Sequence, residues 1–217
     1  MARGRAAGYD DQRELILAQA ATLFAQRGYP ATSMKQVALA CGLSKATLYH
    51  YYRDKYALLV SIAGCHVDKL QALVAGVLAQ GLAPELRLRT LICRIVHDYA
   101  GAQAAHRVLT EDVRFLQPAD RQRILDQERA VVAGFAQAVS ALRPELAAAA
   151  LATPMTMLLF GMINWLFTWV QPGGALDHDA LAPLVADLFL GGLPAVRPPP
   201  GRLTGPDSSV VPDTSAV

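Results

Sequence analysis

Apolar positions recur at helical spacing along almost the whole chain. In 11–27, Ile16, Ala20, Leu23 and Phe24 fall three and four residues apart on one helical face, with Leu15 beside them. Asp10 or Asp11 suits the N-cap, Glu14 completes a capping-box pattern with Asp11, and Gly28 suits the left-handed residue that ends a helix. A short helix follows, capped by Ser33 with Gln36 at the reciprocal position. It turns Met34, Val37, Ala38 and Cys41 inward and stops at Gly42. The turn Gly42, Leu43, Ser44 leads to a third helix from Lys45 to about Tyr51, with Ser44 as its N-cap. A long helix is predicted over about 54–80, with Leu58, Leu59, Ile62, Ala63, Val67 and Leu70 inward. Further helices are predicted over 84–101, 103–116, 118–142, 146–171 and 177–191, with breaks at Pro84, Pro118, Pro144, Gly173 and Gly174. There is no Asn-Gly or Asp-Gly hairpin turn and no sustained alternation. The expected fold class is all-α, with about nine helices.

Composition adds a division to this pattern. The 217 residues are 53% hydrophobic and 18% charged, below the roughly 25% charge of average soluble domains. Disorder is therefore excluded for most of the chain. The exception is 193–217, rich in Pro, Gly, Ser and Thr, which is expected to be a disordered tail. The net charge of +2 conceals an asymmetry. Residues 1–60 hold eight basic and four acidic groups, hence +4, and the rest hold 12 basic and 14 acidic, hence −2. From Leu146 to Leu176 a run of 31 residues carries no charge. Pro154, Thr153, Thr156, Asn164 and Thr168 interrupt its hydrophobicity and no basic cluster flanks it, so burial is expected rather than a membrane span. No signal peptide is visible at the start, and Cys41, Cys65 and Cys93 lack ligand spacing. They are expected to be reduced, buried thiols in a cytoplasmic protein.

The segment 33–52, SMKQVALACGLSKATLYHYY, has the form of a helix-turn-helix: two short helices joined by a tight turn containing Gly. Its second helix can enter a DNA major groove if its inward residues anchor it and its outward ones are small or polar. Ala46, Leu48 and Tyr51 can point inward or sideways, leaving Lys45, Thr47, Tyr49 and His50 for DNA. A helical hairpin in a core has the same bare spacing. Enzyme chemistry finds no motif: GxSxG, GxGxxG, P-loop and metal-ligand spacings are all absent. His97 and Asp98 are adjacent on a predicted helix and diverge by about 100°. Asp177, His178 and Asp179 suit a helix cap better than a metal site. No catalytic residue, metal or cofactor is expected.

Residues 13–59 closely resemble the TetR family of bacterial repressors. The resemblance rests on Arg13, Ile16, Leu17, Ala20, Leu23, Phe24, Gly28, Tyr29, Thr32, Ser33, Val37, Ala38, Gly42, Leu43, Ser44, Thr47, Leu48, Tyr49, Tyr51, Tyr52, Lys55 and Leu58, and most specifically on LYHYYRDKYALL. It departs at Tyr52, where the family has Phe, and at Cys41, where it often has Ala.

The resemblance implies a DNA-binding domain over 10–70, a ligand and dimer domain over 71–192, and a homodimer on a palindromic double-stranded operator. It implies DNA contacts from Ser44, Lys45, Thr47, Tyr49 and His50, and phosphate contacts from Thr32, Ser33, Lys35 and Lys55. A dimer face is expected on the last two helices, including Phe160, Trp169, Leu184 and Leu188. Ligand-pocket candidates are Tyr99, His106, Arg107, Arg114, Phe115, Met162, Asn164 and Trp165, although ordinary core or solvated roles explain each singly. The block FGMINWLFTWVQPGG resembles the matching segment of regulators whose inducers are acyl-CoA thioesters, which implies an acyl-CoA or lipid-like effector. The expected function is a repressor released by such a small apolar effector. A helical interaction protein without DNA binding is the alternative.

Overall fold

The computed structural model describes residues 3–170 and 176–198. Among them are nine α-helices and no strand: α1 Arg3–Arg27, α2 Met34–Ala40, α3 Lys45–Tyr51, α4 Lys55–Leu78, α5 Pro84–Glu111, α6 Pro118–Leu142, α7 Pro144–Ala148, α8 Ala152–Trp169 and α9 His178–Gly192. Two 3-10 turns, Val113–Phe115 and Leu193–Ala195, complete the described elements. The all-α expectation holds.

Four details differ from the sequence pattern. Helix α1 begins at Arg3, so Asp10 and Asp11 lie inside it and cap nothing. The helices expected at 84–101 and 103–116 do meet at a break, the kink at Ala102, whose φ of −120° and ψ of 16° leave the helical region, but the second ends at Glu111 and not at 116. The uncharged run splits into α7 and α8 around Ala150, a left-handed residue at φ 56°, where a Cβ is strained. Cys65 is exposed and Cys41 and Cys93 are half-buried, against the expectation of buried thiols. The expected breaks at Gly173 and Gly174 lie outside the described residues.

The chain forms two compact units. Unit 1 takes in the residues up to Val67 together with Ala102–Ile124, and unit 2 takes Asp68–Gly101 and the chain from Leu125. The N-terminal head therefore shares its unit with 102–124. Its core is built from Ile16, Phe24, Val37, Leu48, Leu58 and Leu59, all essentially inaccessible to solvent. Each such side chain contributes roughly 1.5–3 kcal/mol through burial.

Unit 2 buries Leu88, Leu91, Ile92, Phe135, Leu146, Leu159, Ile163 and Ala186. Phe135 meets Phe160 edge-on at 5.1 Å. A Cβ at Gly134 would collide with Val74 Cγ1, so glycine is needed where α6 crosses α4. Helices α5 and α9 are tied by Arg89 to Asp187 at 2.7 Å and by His97 Nδ1 to Asp179 Oδ1 at 2.8 Å. Asp177 caps α9, accepting the Ala180 N–H at 2.8 Å. The expected tail starts too early at 193: Leu193 is buried, and the Arg143 guanidinium donates to the carbonyls of Leu193 and Val196. The rest of that expected tail, 199–217, lies outside the described residues.

Helix α4 is long and apolar enough to cross a membrane by length and composition. Its apolar positions Leu58, Leu59, Ile62, Val67, Leu70, Val74 and Val77 are instead buried within the protein.

Candidate nucleic-acid interface

Helix α2 is set at both ends by local chemistry. Ser33 Oγ accepts the Gln36 N–H at 3.3 Å, and Gln36 Oε1 accepts the Ser33 N–H at 2.8 Å, a complete capping box. At the other end, Gly42 sits at φ +65°. Its N–H reaches Leu39 O at 3.1 Å and the Leu43 N–H reaches Ala38 O at 2.9 Å. This is the paired 5→2 and 6→1 closure that requires a left-handed residue, and it turns the chain sharply into α3.

Helix α3 starts at Ser44, whose Oγ accepts the Thr47 N–H at 3.0 Å and lies 2.8 Å from the Thr47 hydroxyl. Fully buried Leu48 and buried Tyr52 anchor it. Lys45, Ala46, Thr47, Tyr49 and His50 are all exposed. Ala46, expected to point inward or sideways, joins this outer set. The Lys45 ammonium lies 5.7 Å from the Tyr49 ring centroid one turn away, and Tyr51 stacks on Tyr9 at 4.8 Å. The outer face thus offers a cation, a hydroxyl, a phenol and an imidazole on a helix that cannot rotate without exposing Leu48. Exposed Lys35 on α2 lies nearby in sequence.

Two residues expected at phosphates have other partners. Thr32 is only 2% exposed, and its hydroxyl is shared between Gly28 O at 3.0 Å and Leu23 O at 3.3 Å. It braces the link between α1 and α2. Lys55 Nζ donates to Tyr29 O at 2.7 Å and Pro30 O at 3.0 Å, and lies 4.4 Å from the Tyr29 ring centroid. Burial lowers the pKa of this ammonium. The turn after Gly28 leaves carbonyls that need donors, and Lys55 supplies two of its three. Asp54 caps α4 by accepting the Ala57 N–H at 2.7 Å.

Residues 16–62 match the model of the bacterial regulatory proteins of the tetR family, and residues 81–193 match the tetracyclin repressor-like C-terminal domain. The chain belongs to the TetR family. A solved TetR-family transcriptional regulator from Bordetella parapertussis 12822 is 35% identical, with a TM-score of 0.78 over 85% of this chain and 97% of that one. AibR, solved in complex with isovaleryl coenzyme A and operator DNA, is 25% identical, with a TM-score of 0.69 over 82% of this chain and 97% of that one. The HTH-type transcriptional repressor KstR2 of Rhodococcus jostii is 24% identical over 86% of this chain and 93% of its own length. A local match to the uncharacterized regulator YuxN of Bacillus subtilis, 34% identical over 36% of this chain, spans 27% of that protein.

The ligand-pocket candidates of this TetR-family chain divide between its units. In unit 2, buried Tyr99 donates to Asn164 Oδ1 at 3.2 Å, and Met162 is half-buried. Burial pushes the Glu128 carboxyl up to about 7 and holds the Tyr99 phenol protonated far above its usual range. Burial also raises the Asp98 carboxyl pKa. Sequence periodicity missed Glu128, because its helix position carries no mark of what packs over it. Trp165 is 58% exposed, on the outer stripe of α8 with Leu158 and Trp169, and not in the interior. Phe160, expected at the dimer face, is 7% exposed and buried against Phe135 of its own chain. Leu184 and Leu188 form the exposed apolar stripe of α9.

In unit 1, His106 is buried beside His66, ring nitrogens 3.4 Å apart. Burial, then the neighbouring imidazole, pushes its pKa down to about 3. Arg107 pairs with exposed Glu111 at 2.9 Å. The Arg114 guanidinium lies 5.0 Å from the Phe115 ring centroid, and Phe115 packs on Tyr29 of the head. Among the described residues no three His, Cys, Asp or Glu side chains cluster as metal ligands.

Proposed function

We propose that this chain is a homodimeric, ligand-responsive repressor that binds a palindromic operator and leaves it when a small apolar effector binds. The observation that carries this proposal is the outer face of α3, where Lys45, Thr47, Tyr49 and His50 stand exposed on a capped helix pinned by fully buried Leu48. Lys45, Tyr49 and His50 reach base edges or phosphates in the major groove, and Thr47 and Ser44 add hydroxyls at the helix start. Lys35 and the exposed cap residue Ser33 lie toward the DNA backbone. Thr32 and Lys55 act from behind, by holding the turn that presents α2.

One such helix reads few base pairs, so two copies must dock about 34–36 Å apart. The stripes Leu158, Trp165, Trp169 and Leu184, Leu188 supply an apolar surface for that pairing. An acyl-CoA or lipid-like effector is supported by the likeness to AibR, whose solved complex holds isovaleryl coenzyme A and operator DNA. The apolar interior of unit 2, with Tyr99 and Asn164 as its polar pair, suits an acyl chain. The effector acts only through tighter binding to the form that does not hold DNA.

A gel shift with the DNA flanking the chain's own gene tests this. Retardation that short-chain and long-chain acyl-CoA thioesters reverse is expected. Absence of retardation at low salt would overturn the operator assignment, and retardation that no thioester reverses would overturn the effector class.

A further inference from the structure

The Tyr29 turn, between α1 and α2, is held from four directions within unit 1. Its ring meets Phe24 edge-on at 5.2 Å and Phe115 at 5.4 Å with a 34° tilt, and the Lys55 ammonium lies 4.4 Å from its centroid. Its carbonyl accepts from Lys55 Nζ at 2.7 Å. Its backbone N–H favours the charged form of the Asp112 carboxyl. Asp112 is itself buried, and its own carbonyl accepts the Phe115 N–H at 2.9 Å, which starts the 3-10 turn. The same stretch holds the first turn of α4: Tyr56 Oη donates to Asp120 Oδ2 at 2.6 Å and accepts the Gln117 N–H at 3.0 Å. Residues 112–120 thus grip the chain just before α2 and just after α3, the two ends of the helix-turn-helix.

We infer that Asp112 and Phe115 are positioning residues of the reading head: they fix the Tyr29 turn and so the direction in which α2, and with it α3, is presented. Neither offers a donor to a phosphate, so their influence on DNA must pass through the turn. Asp112 also faces Lys55 across the turn, and its carboxylate favours the charged form of that lysine. This inference rests on the DNA-binding proposal, and it reassigns Phe115 from the ligand pocket to the head.

The test uses the full chain with Phe115→Ala, Phe115→Leu, Phe115→Tyr and Asp112→Asn. Amide hydrogen exchange over 28–36 is expected to rise at least about tenfold in Phe115→Ala and Asp112→Asn, with α8 and α9 unchanged. Affinity for a duplex that the wild-type chain selects from a random-sequence library should fall about threefold to tenfold, as the competent state becomes less populated. The slope of log affinity against log salt should stay that of the wild type, because no phosphate contact is lost. Phe115→Tyr should restore both readouts. If Phe115→Ala does not fold, Phe115→Leu, which keeps volume and removes the ring, is read in its place.

Unchanged exchange over 28–36 overturns the inference, as does raised exchange with unchanged affinity. A wild-type chain that enriches no sequence instead overturns the DNA-binding proposal, an outcome seen before any variant is made.

Discussion

The two units bury similar apolar cores but treat their polar groups differently. In unit 1 most polar groups are spent close to where they occur: Ser33 with Gln36, Ser44 with Thr47, Asp54 with Ala57, all within three residues. In unit 2 Tyr99 donates to Asn164 of α8, and burial disfavours the charged forms of Tyr99, Glu128 and Asp98. Helices α2 and α3 are therefore started and stopped by short-range rules, while the Tyr29 turn takes its partners from far along the chain. Unit 2 keeps these groups at a cost to stability.

The largest contrast should come from the cores. Phe135→Ala removes a fully buried ring and its edge contact with Phe160, and should cost about 3–5 kcal/mol in urea unfolding. Exchange should rise first in unit 2 and later in α1–α3. Simultaneous loss in both units would erase the distinction between them.

Titration comes next, and its sign is opposite for Glu128 and His106. Glu128 binds its proton up to about pH 7 when folded, against about 4.5 for the ordinary carboxyl. Its contribution is complete below about pH 4.5 and is lost as pH rises through 7. At pH 8, Glu128→Gln should stabilise the chain by up to roughly 3 kcal/mol, and at pH 4 by almost nothing. His106 runs the other way: its pKa of about 3, against 6.5, gives a contribution present above pH 6.5 and lost as pH falls toward 3. Thermal melts of wild type and Glu128→Gln from pH 4 to 8 check the first. Melts of His106→Gln, with a flatter acid limb, check the second.

Smaller effects separate reading from holding. Tyr49→Ala should weaken operator binding by about tenfold while leaving the melting temperature and oligomeric state unchanged. Dissociation of the dimer in that variant would contradict the division of labour between the units. Ser44→Ala removes the cap of α3 and should cost about 1 kcal/mol in chemical unfolding. Its DNA affinity should fall without any change in the outward side chains of α3.

The same contrast explains what was legible in the sequence. Helices α2 and α3, their caps and Gly42 could all be read because every determinant lies within a few residues. Helix α6 begins at Pro118 and ends at Leu142 as predicted, since a proline at its first position announces it. The partners of Thr32 and Lys55 in the turn after Gly28 were not legible, because no local pattern records which carbonyls are brought to them. Asp112 and Phe115 lie more than 80 residues from Tyr29 and were invisible as parts of the head. Helix α8 is apolar on every side, so periodicity could not say whether Phe160 or Trp165 faced inward. The structure assigns Phe160 to the core and Trp165 to the outer face.

The exposed cationic and polar side chains of α3 predict DNA binding by that helix. Fluorescence anisotropy of a labelled duplex from the flanking DNA, titrated with the full chain at 50 and 200 mM salt, tests it most directly. Tight binding at 50 mM that weakens at least about a hundredfold at 200 mM is predicted, as phosphate-bound counterions are released. No binding at 50 mM, or equal affinity at both salts, would contradict it.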